Sequence, residues 1–335
     1  MEENKIFSVI IPVYNGEKTI ERALASLISN KNWIYEVIIV NDHSNDNTIK
    51  LAQQFQEFLP LKFLTSSGNH NPGVARQTGL LAASGQWITF LDADDCLTAN
   101  CLQYVWKQIQ LYENIVLLHS KTIYYELGTL IPENIEYSDG SCGGNFYKRD
   151  FLTENNLSFH DKLRMSEDEY FNRKITLFIN YCINIDGMIQ YYDYPAYEVH
   201  HDDGQKSFAH SNWVEYLIKS HLLCQQYLTE FFLQYPQTVK LAKVEFINNF
   251  IFCYYLFLYI TNDDDLFFDY EEQLNYFRES LQFFTDNVNG TKEELIQYYK
   301  QYPYLVEDLK NGASVSTGVT EIEDEKPFRF FIENL

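Results

Sequence analysis

The sequence predicts an α/β fold. A mostly parallel sheet domain spans residues 1–210, and a smaller α-helical domain spans residues 211–335. Three observations predict this. Between Phe7 and Ser120, β-branched apolar runs alternate with amphipathic helical segments, the rhythm of strands joined by crossover helices. Each apolar run ends in a short polar cluster. After about Ser211 the pattern changes to long segments of Leu, Phe, Tyr and Gln with helical spacing.

Phe7 to Val13 is apolar and β-branched, and reads as a buried strand. From Glu17 to Ser29, Ile20, Ala23, Leu24, Leu27 and Ile28 share one helical face. Glu36 to Val40 is a second buried strand. Asn45 or Asp46 caps a helix carrying Ile49, Leu51, Ala52 and Phe55. Leu61 to Leu64 is a shorter strand, Val74 to Ala83 a helix, and Trp87 to Leu91 a strand that delivers Asp92. A helix over Asn100 to Tyr112 and a strand over Ile115 to Ser120 complete a parallel sheet covered on both faces. Ser138 to Asn145 is a Gly-rich loop, Ser166 to Ile179 a helix, and Ile183 to Tyr192 a strand. Phe250 to Ile260 is an unbroken apolar run of eleven residues. A membrane span needs about twenty, so the run reads as a buried helix. Residues 311–326 are poor in apolar side chains and are expected to be mobile. Phe328 to Ile332 is apolar enough to dock back.

Composition narrows the function. The formal charge is −22, so nucleic acid and anionic lipid headgroups are repelled. The six Cys show no paired spacing, which points to free thiols in a reducing cytosol. The acidic N-terminus holds an apolar stretch too short for a signal peptide. Aromatic residues make up 16% of the chain, as core or as sugar-stacking surface.

The polar clusters carry the chemistry. Pro12-Val13-Tyr14-Asn15 ends the first strand, and Asn41-Asp42-His43-Ser44-Asn45-Asp46 ends the second. Asn71-Pro72-Gly73-Val74-Ala75-Arg76 opens a helix, and Asp92-Ala93-Asp94-Asp95 ends the strand after it. Ligands of open α/β sheets bind beyond the carboxyl ends of the strands. Paired carboxylates there suit a hard divalent cation shared with phosphate oxygens.

Taken in order, these segments resemble the inverting, non-processive family-2 glycosyltransferases of GT-A fold. The matching pieces are SVIIPVYN (8–15), EVIIVNDHSNDNT (36–48), NPGVARQTG (71–79), WITFLDADD (87–95) and Ser166-Glu167-Asp168. The resemblance covers roughly residues 6–205. It implies a UDP-sugar donor, a glycan acceptor, and Mn²⁺ or Mg²⁺. By position, Asp42 accepts from the uracil N3–H, and Pro12, Tyr14 and Asn15 line the nucleoside pocket. Gly73 lets the backbone pass close to the nucleotide. Arg76 approaches the diphosphate or Asp92. Asp92 and Ala93 meet the ribose side, and Asp94 holds the metal. Asp168 is the general base, with Glu167 able to exchange roles. His200 and His201 are further metal-ligand candidates, and Lys206 and Ser207 phosphate contacts.

Plainer roles stay open beside these. Asp42 can be a helix cap, Arg76 a surface ion pair, Glu167 and Asp168 partners of the helix dipole, and the histidines polar loop. Asn41 and Gln77 stand where the family commonly has Asp and Asn. The Gln-x-x-Arg-Trp motif of processive members is missing. A nucleotidyltransferase and a non-catalytic nucleotide-sugar-binding module are the rival readings. The expected setting is bacterial surface-glycan assembly in the cytoplasm, with peripheral membrane contact and a homodimer through the helical domain as options.

Overall fold

The protein is described from a computed structural model, which defines residues 5–67, 70–125, 132–137, 141–200, 208–261, 270–301 and 326–335. The chain forms two compact units, Met1–Gln205 and Lys206–Leu335.

The first unit is built on one nine-stranded sheet. Its strands are β1 (Phe7–Val13), β2 (Ile34–Asn41), β3 (Leu61–Thr65), β4 (Trp87–Phe90), β5 (Cys96–Leu97), β6 (Leu117–Tyr125), β7 (Pro132–Tyr137), β8 (Asn145–Lys148) and β9 (Ile189–Val199). Its helices are α1 (Ile20–Leu27), α2 (Thr48–Gln53), α3 (Pro72–Ala82), α4 (Cys101–Ile109), α5 (Arg149–Glu154) and α6 (Glu167–Phe178). The strand order is β3-β2-β1-β4-β8-β6-β9-β5, with β7 beside β6.

The first four strands are parallel, as the alternating pattern predicts. The sequence predicts a mostly parallel sheet, and beyond β4 its pairing is mixed. Strand β8 runs antiparallel to both β4 and β6, and β7 runs antiparallel to β6. The reason lies in the connections. A parallel neighbour needs a crossover of a dozen or more residues, usually helical. Helix α6 precedes β9, and β9 does run parallel to β6. The last strand of this unit also begins later than expected. Residues 179–183 extend α6 as a wide helical turn, and the strand starts at Ile189.

Phe7, Val9, Ile11, Val37 and Ile39 lie fully buried in the core, with Leu24 and Leu27 of α1 packed onto the same cluster. That burial explains why β1 and β2 read as near-continuous apolar runs.

The second unit contains α7 (Phe208–Leu233), α8 (Val239–Thr261), α9 (Tyr270–Val288), α10 (Lys292–Gln301) and α11 (Lys326–Asn334). The apolar run of residues 250–260 lies in α8, where Phe250, Cys253, Tyr254 and Phe257 are buried. One stretch, Pro236–Leu258, is long and apolar enough to cross a membrane, and 61% of its most apolar window is buried inside the protein. The C-terminal segment docks back as expected: Phe328 stacks on Tyr299 at 4.4 Å, and Phe328 and Ile332 are fully buried. Residues 302–325, which include most of the segment expected to be mobile, lie outside the described residues.

Candidate active site

The parallel strands β1, β2 and β4 bring their carboxyl ends to one sheet edge, so Tyr14, Asp42 and Asp92 emerge together. Pro12 lies beyond the β4 ladder, which ends at Ile10, so its missing N–H costs no bond on that side. Asn15, at φ 50°, ties the loops after β1 and β2 together. Its Oδ1 accepts from Asn45 N at 2.9 Å, and its own N–H donates to Ser44 Oγ at 2.9 Å. Tyr14 is 46% exposed, with its ring 4.0 Å from that of His70.

Asp42 is 3% exposed. Its Oδ2 accepts from Asn71 N at 2.8 Å, whereas Oδ1 is buried with no partner. A buried acceptor left unmade is costly, so it marks a place for a donor. Asn71 caps α3 through Oδ1, which accepts from Val74 N at 3.2 Å, and Pro72 occupies the first turn. Gly73 faces α6: a Cβ there would lie 3.0 Å from Glu167 Cγ. The glycine therefore permits close helix packing against the acidic pair.

Arg76 joins three elements. Its side chain is 7% exposed, Nη2 donates to Asp92 Oδ1 at 2.7 Å, and Nη1 donates to Glu167 Oε1 at 2.7 Å. Burial works against its charge, but Asp92 and Glu167 outweigh it and raise its pKa well above the usual value. A surface ion pair, the plainer sequence reading, does not describe a guanidinium this buried.

Glu167 and Asp168 open α6 behind Ser166, which sits at φ 58°. Acidic residues in a first helical turn meet favourable backbone dipoles. Burial, with Asp168 next in weight, pushes Glu167 up from 4.5 to about 7, against the pull of Arg76. Burial also raises Asp168, again opposed by Arg76, while Asp168 Oδ1 accepts from Glu169 N at 2.9 Å. The pair is thus held close to the pH range in which a carboxylate exchanges protons usefully.

The turn after β4 is braced from behind. Arg22 Nη2 donates to the Asp94 carbonyl. Asp95 is 7% exposed and accepts from Tyr197 Oη at 2.9 Å and His200 N at 3.0 Å. The Tyr197 hydroxyl in turn accepts from Asp92 N at 3.1 Å. Burial, then Asp92 and Asp94, raises the Asp95 carboxyl well above the usual range. Asp92, Asp94 and Asp95 thus share one turn, and carboxylate oxygens are the ligands a hard divalent ion takes.

His200 sits against the same turn, where its backbone N–H donates to Asp95 Oδ1 at 3.0 Å. Its Nε2 lies 3.4 Å from Glu198 Oε2, its ring stacks on Tyr125 at 4.8 Å, and the set gathered around it is Cys96 and Glu198, without Asp94. His201, Lys206 and Ser207 lie outside the described residues. Gly143 packs under Tyr197, where a Cβ would lie 2.6 Å from the ring. Two participants had no sequence signal. Tyr197 is 105 residues from Asp92. Cys142 is buried beside Arg76 and the acidic pair, and burial raises its thiol.

A model of "Glycosyl transferase family 2" matches residues 8–189. Poly(ribitol-phosphate) beta-N-acetylglucosaminyltransferase TarP of Staphylococcus aureus (strain N315) is 26% identical over 290 residues, covering 73% of this chain and 87% of TarP. Poly(ribitol-phosphate) beta-N-acetylglucosaminyltransferase TarS of S. aureus (strain MW2) is 29% identical over 204 residues, covering 56% of this chain and only 35% of TarS. The crystal structure of S. aureus TarS 1-349 superposes with TM-score 0.62 at 22% identity and covers 92% of each chain. The same fragment in complex with UDP-GlcNAc gives TM-score 0.54 at 20% identity, covering 98% of this chain and 91% of that one. These structures share the fold with this chain. The ordered clusters at the strand ends and the match across residues 8–189 agree, and the chain belongs to glycosyl transferase family 2.

Proposed function

We propose that this chain transfers a hexose or N-acetylhexosamine from a UDP-sugar to a hydroxyl of a glycan acceptor, with inversion at the sugar carbon. The observation that carries the reading is the buried, unpartnered Asp42 Oδ1 at the edge where Asp92 and Glu167 also meet through Arg76. A carboxylate accepts, and uracil offers one good donor at N3. Tyr14 supplies an exposed aromatic face for the base, beside Pro12 and Asn15.

Asp94, with Asp92 beside it, would hold Mn²⁺ or Mg²⁺, which when bound would supply positive charge to offset that of the leaving diphosphate. Asp168 takes the proton from the acceptor hydroxyl as that oxygen attacks. Glu167 is held by Arg76 and keeps the pair's charge in balance. Arg76 fixes the spacing between the donor turn and the base.

The relatives named for poly(ribitol-phosphate) acceptors favour a phosphate-containing cell-surface polymer, and UDP-GlcNAc is the first donor to try. The setting is the cytoplasmic side of bacterial surface-glycan assembly. The test is UDP release from UDP-GlcNAc with Mn²⁺, in the full chain and in Asp94→Ala and Asp168→Asn. The expected loss for Asp168→Asn is about 10²–10⁴-fold in kcat. A chain that releases no UDP from any UDP-sugar, or variants that match the parent, would leave a nucleotidyltransferase or a non-catalytic binding module instead.

A further inference from the structure

The antiparallel pairing of β5 with β9 places Cys96 opposite Glu198. Directly opposed residues project from the same face of a sheet, and so does the residue two positions along an extended strand. His200 stands two residues beyond Glu198. The result is a set of three different ligands: one thiol sulfur, one carboxylate oxygen and one imidazole nitrogen, all within 4.8 Å of one another. Cys96 is buried, and Glu198 and His200 are half-buried.

We propose that Cys96, Glu198 and His200 form a transition-metal site matched to Zn²⁺, from a ligand set that does not include Asp94. Zinc takes sulfur at about 2.3 Å and nitrogen or carboxylate oxygen at about 2.0–2.2 Å. Tetrahedral bonds of that length set the ligand atoms roughly 3.2–3.8 Å apart. His200 Nε2 and Glu198 Oε2 already stand at 3.4 Å. From a separation of 4.8 Å or less, the sulfur needs to close by roughly 1–1.6 Å at most.

The donor set chooses the metal. Thiolate and imidazole favour zinc, whereas Mn²⁺ and Mg²⁺ prefer the carboxylate oxygens of the Asp92–Asp94 turn. The surroundings hold the ligands in place. The Tyr125 ring stacks on His200 at 4.8 Å and 19°, and Asp95 Oδ1 accepts the His200 N–H at 3.0 Å. Such outer contacts orient metal ligands and sharpen affinity. As the sulfur–zinc bond forms, the Cys96 thiol loses its proton to solvent, and water fills the fourth position. The sequence offers His200 as a metal-ligand candidate but does not join it to Cys96, because the two are far apart in the chain and only the strand register brings them together.

The experiment uses the reduced, chelator-treated full chain with Zn²⁺ in calorimetry and Co²⁺ as the optical probe. One metal binds per chain, and Co²⁺ produces a sulfur-to-cobalt charge-transfer band in the near ultraviolet. Cys96→Ser abolishes the band and weakens Zn²⁺ at least tenfold. His200→Gln weakens Zn²⁺ similarly. Asp94→Ala leaves zinc binding intact. Circular dichroism confirms that each variant is folded. The proposal is overturned if the parent shows no thiolate band, or if Cys96→Ser keeps the parent's band and zinc affinity. Zinc binding is read without nucleotide or acceptor, so its failure leaves the glycosyltransferase reading untouched, and the reverse also holds.

Discussion

Asp42→Asn tests donor recognition with an exchange of one oxygen for an NH₂ group. The parent carboxylate uses Oδ2 for Asn71 N at 2.8 Å and leaves Oδ1 buried and free. An asparagine has one acceptor and one donor end. If Oδ1 keeps the Asn71 bond, Nδ2 faces the uracil N3–H, donor against donor. If the amide turns over, Nδ2 faces the Asn71 N–H instead. Either way one pair of donors opposes. A hydrogen bond to a charged group is worth about 1.5–3 kcal/mol, and a buried unsatisfied group costs about 1–3 kcal/mol more. Together these give about 2.5–6 kcal/mol, and each 1.4 kcal/mol is about tenfold, so the low end already gives about two orders of magnitude. UDP affinity should therefore fall by at least that much. Cytosine presents an acceptor at N3, which the new NH₂ can serve, so the preference for UDP over CDP should collapse. Calorimetry with UDP and CDP in the presence of Mn²⁺ reads both effects. A folded Asp42→Asn chain that binds UDP within threefold of the parent refutes the assignment of Oδ1 to the base.

Tyr197→Phe removes the hydroxyl shared by Asp95 Oδ2 and Asp92 N. The buried Asp95 carboxyl and the half-buried Asp92 N–H each lose a partner, so stability should fall by about 1–3 kcal/mol, and the Mn²⁺ concentration needed for half-maximal UDP release should rise about tenfold. Unchanged metal dependence would show that the phenol braces the fold alone. A base works ionised, and burial with Asp168 holds Glu167 at about 7 while Asp168 is also raised. The pair titrates as a unit and both members are raised, so the acid limb of kcat/KM should lie above the usual carboxylate range near about 4. A flat profile from pH 8 down to about 5 would exclude the buried pair as base. Phe328→Ala, at a fully buried ring stacked on Tyr299, should cost about 3–5 kcal/mol in urea unfolding of the helical unit. An unmoved midpoint would mean that α11 contributes nothing to that core.

Much of the fold was legible because its causes are local. The apolar runs at Phe7–Val13 and Trp87–Phe90 are buried strands, and the polar clusters that follow them fall on one edge because parallel strands share a direction. Asn71, Pro72 and the acids at Glu167–Glu169 announce their helix starts through capping and dipole chemistry, which a few neighbouring residues decide. Tertiary structure decided the rest. Strand β8 was unreadable as an antiparallel insertion between β4 and β6, because pairing partners are chosen by long-range fit. The double grip of Arg76 on Asp92 and Glu167 depends on two helices meeting at Gly73. The Tyr197 brace and the Cys96–Glu198–His200 set arise where β9 returns beside β5. The sequence by itself determined which residues carry charge and which segments are strands or helices. Only the packed sheet determined which charges meet, because distance through space is set by register and not by position along the chain.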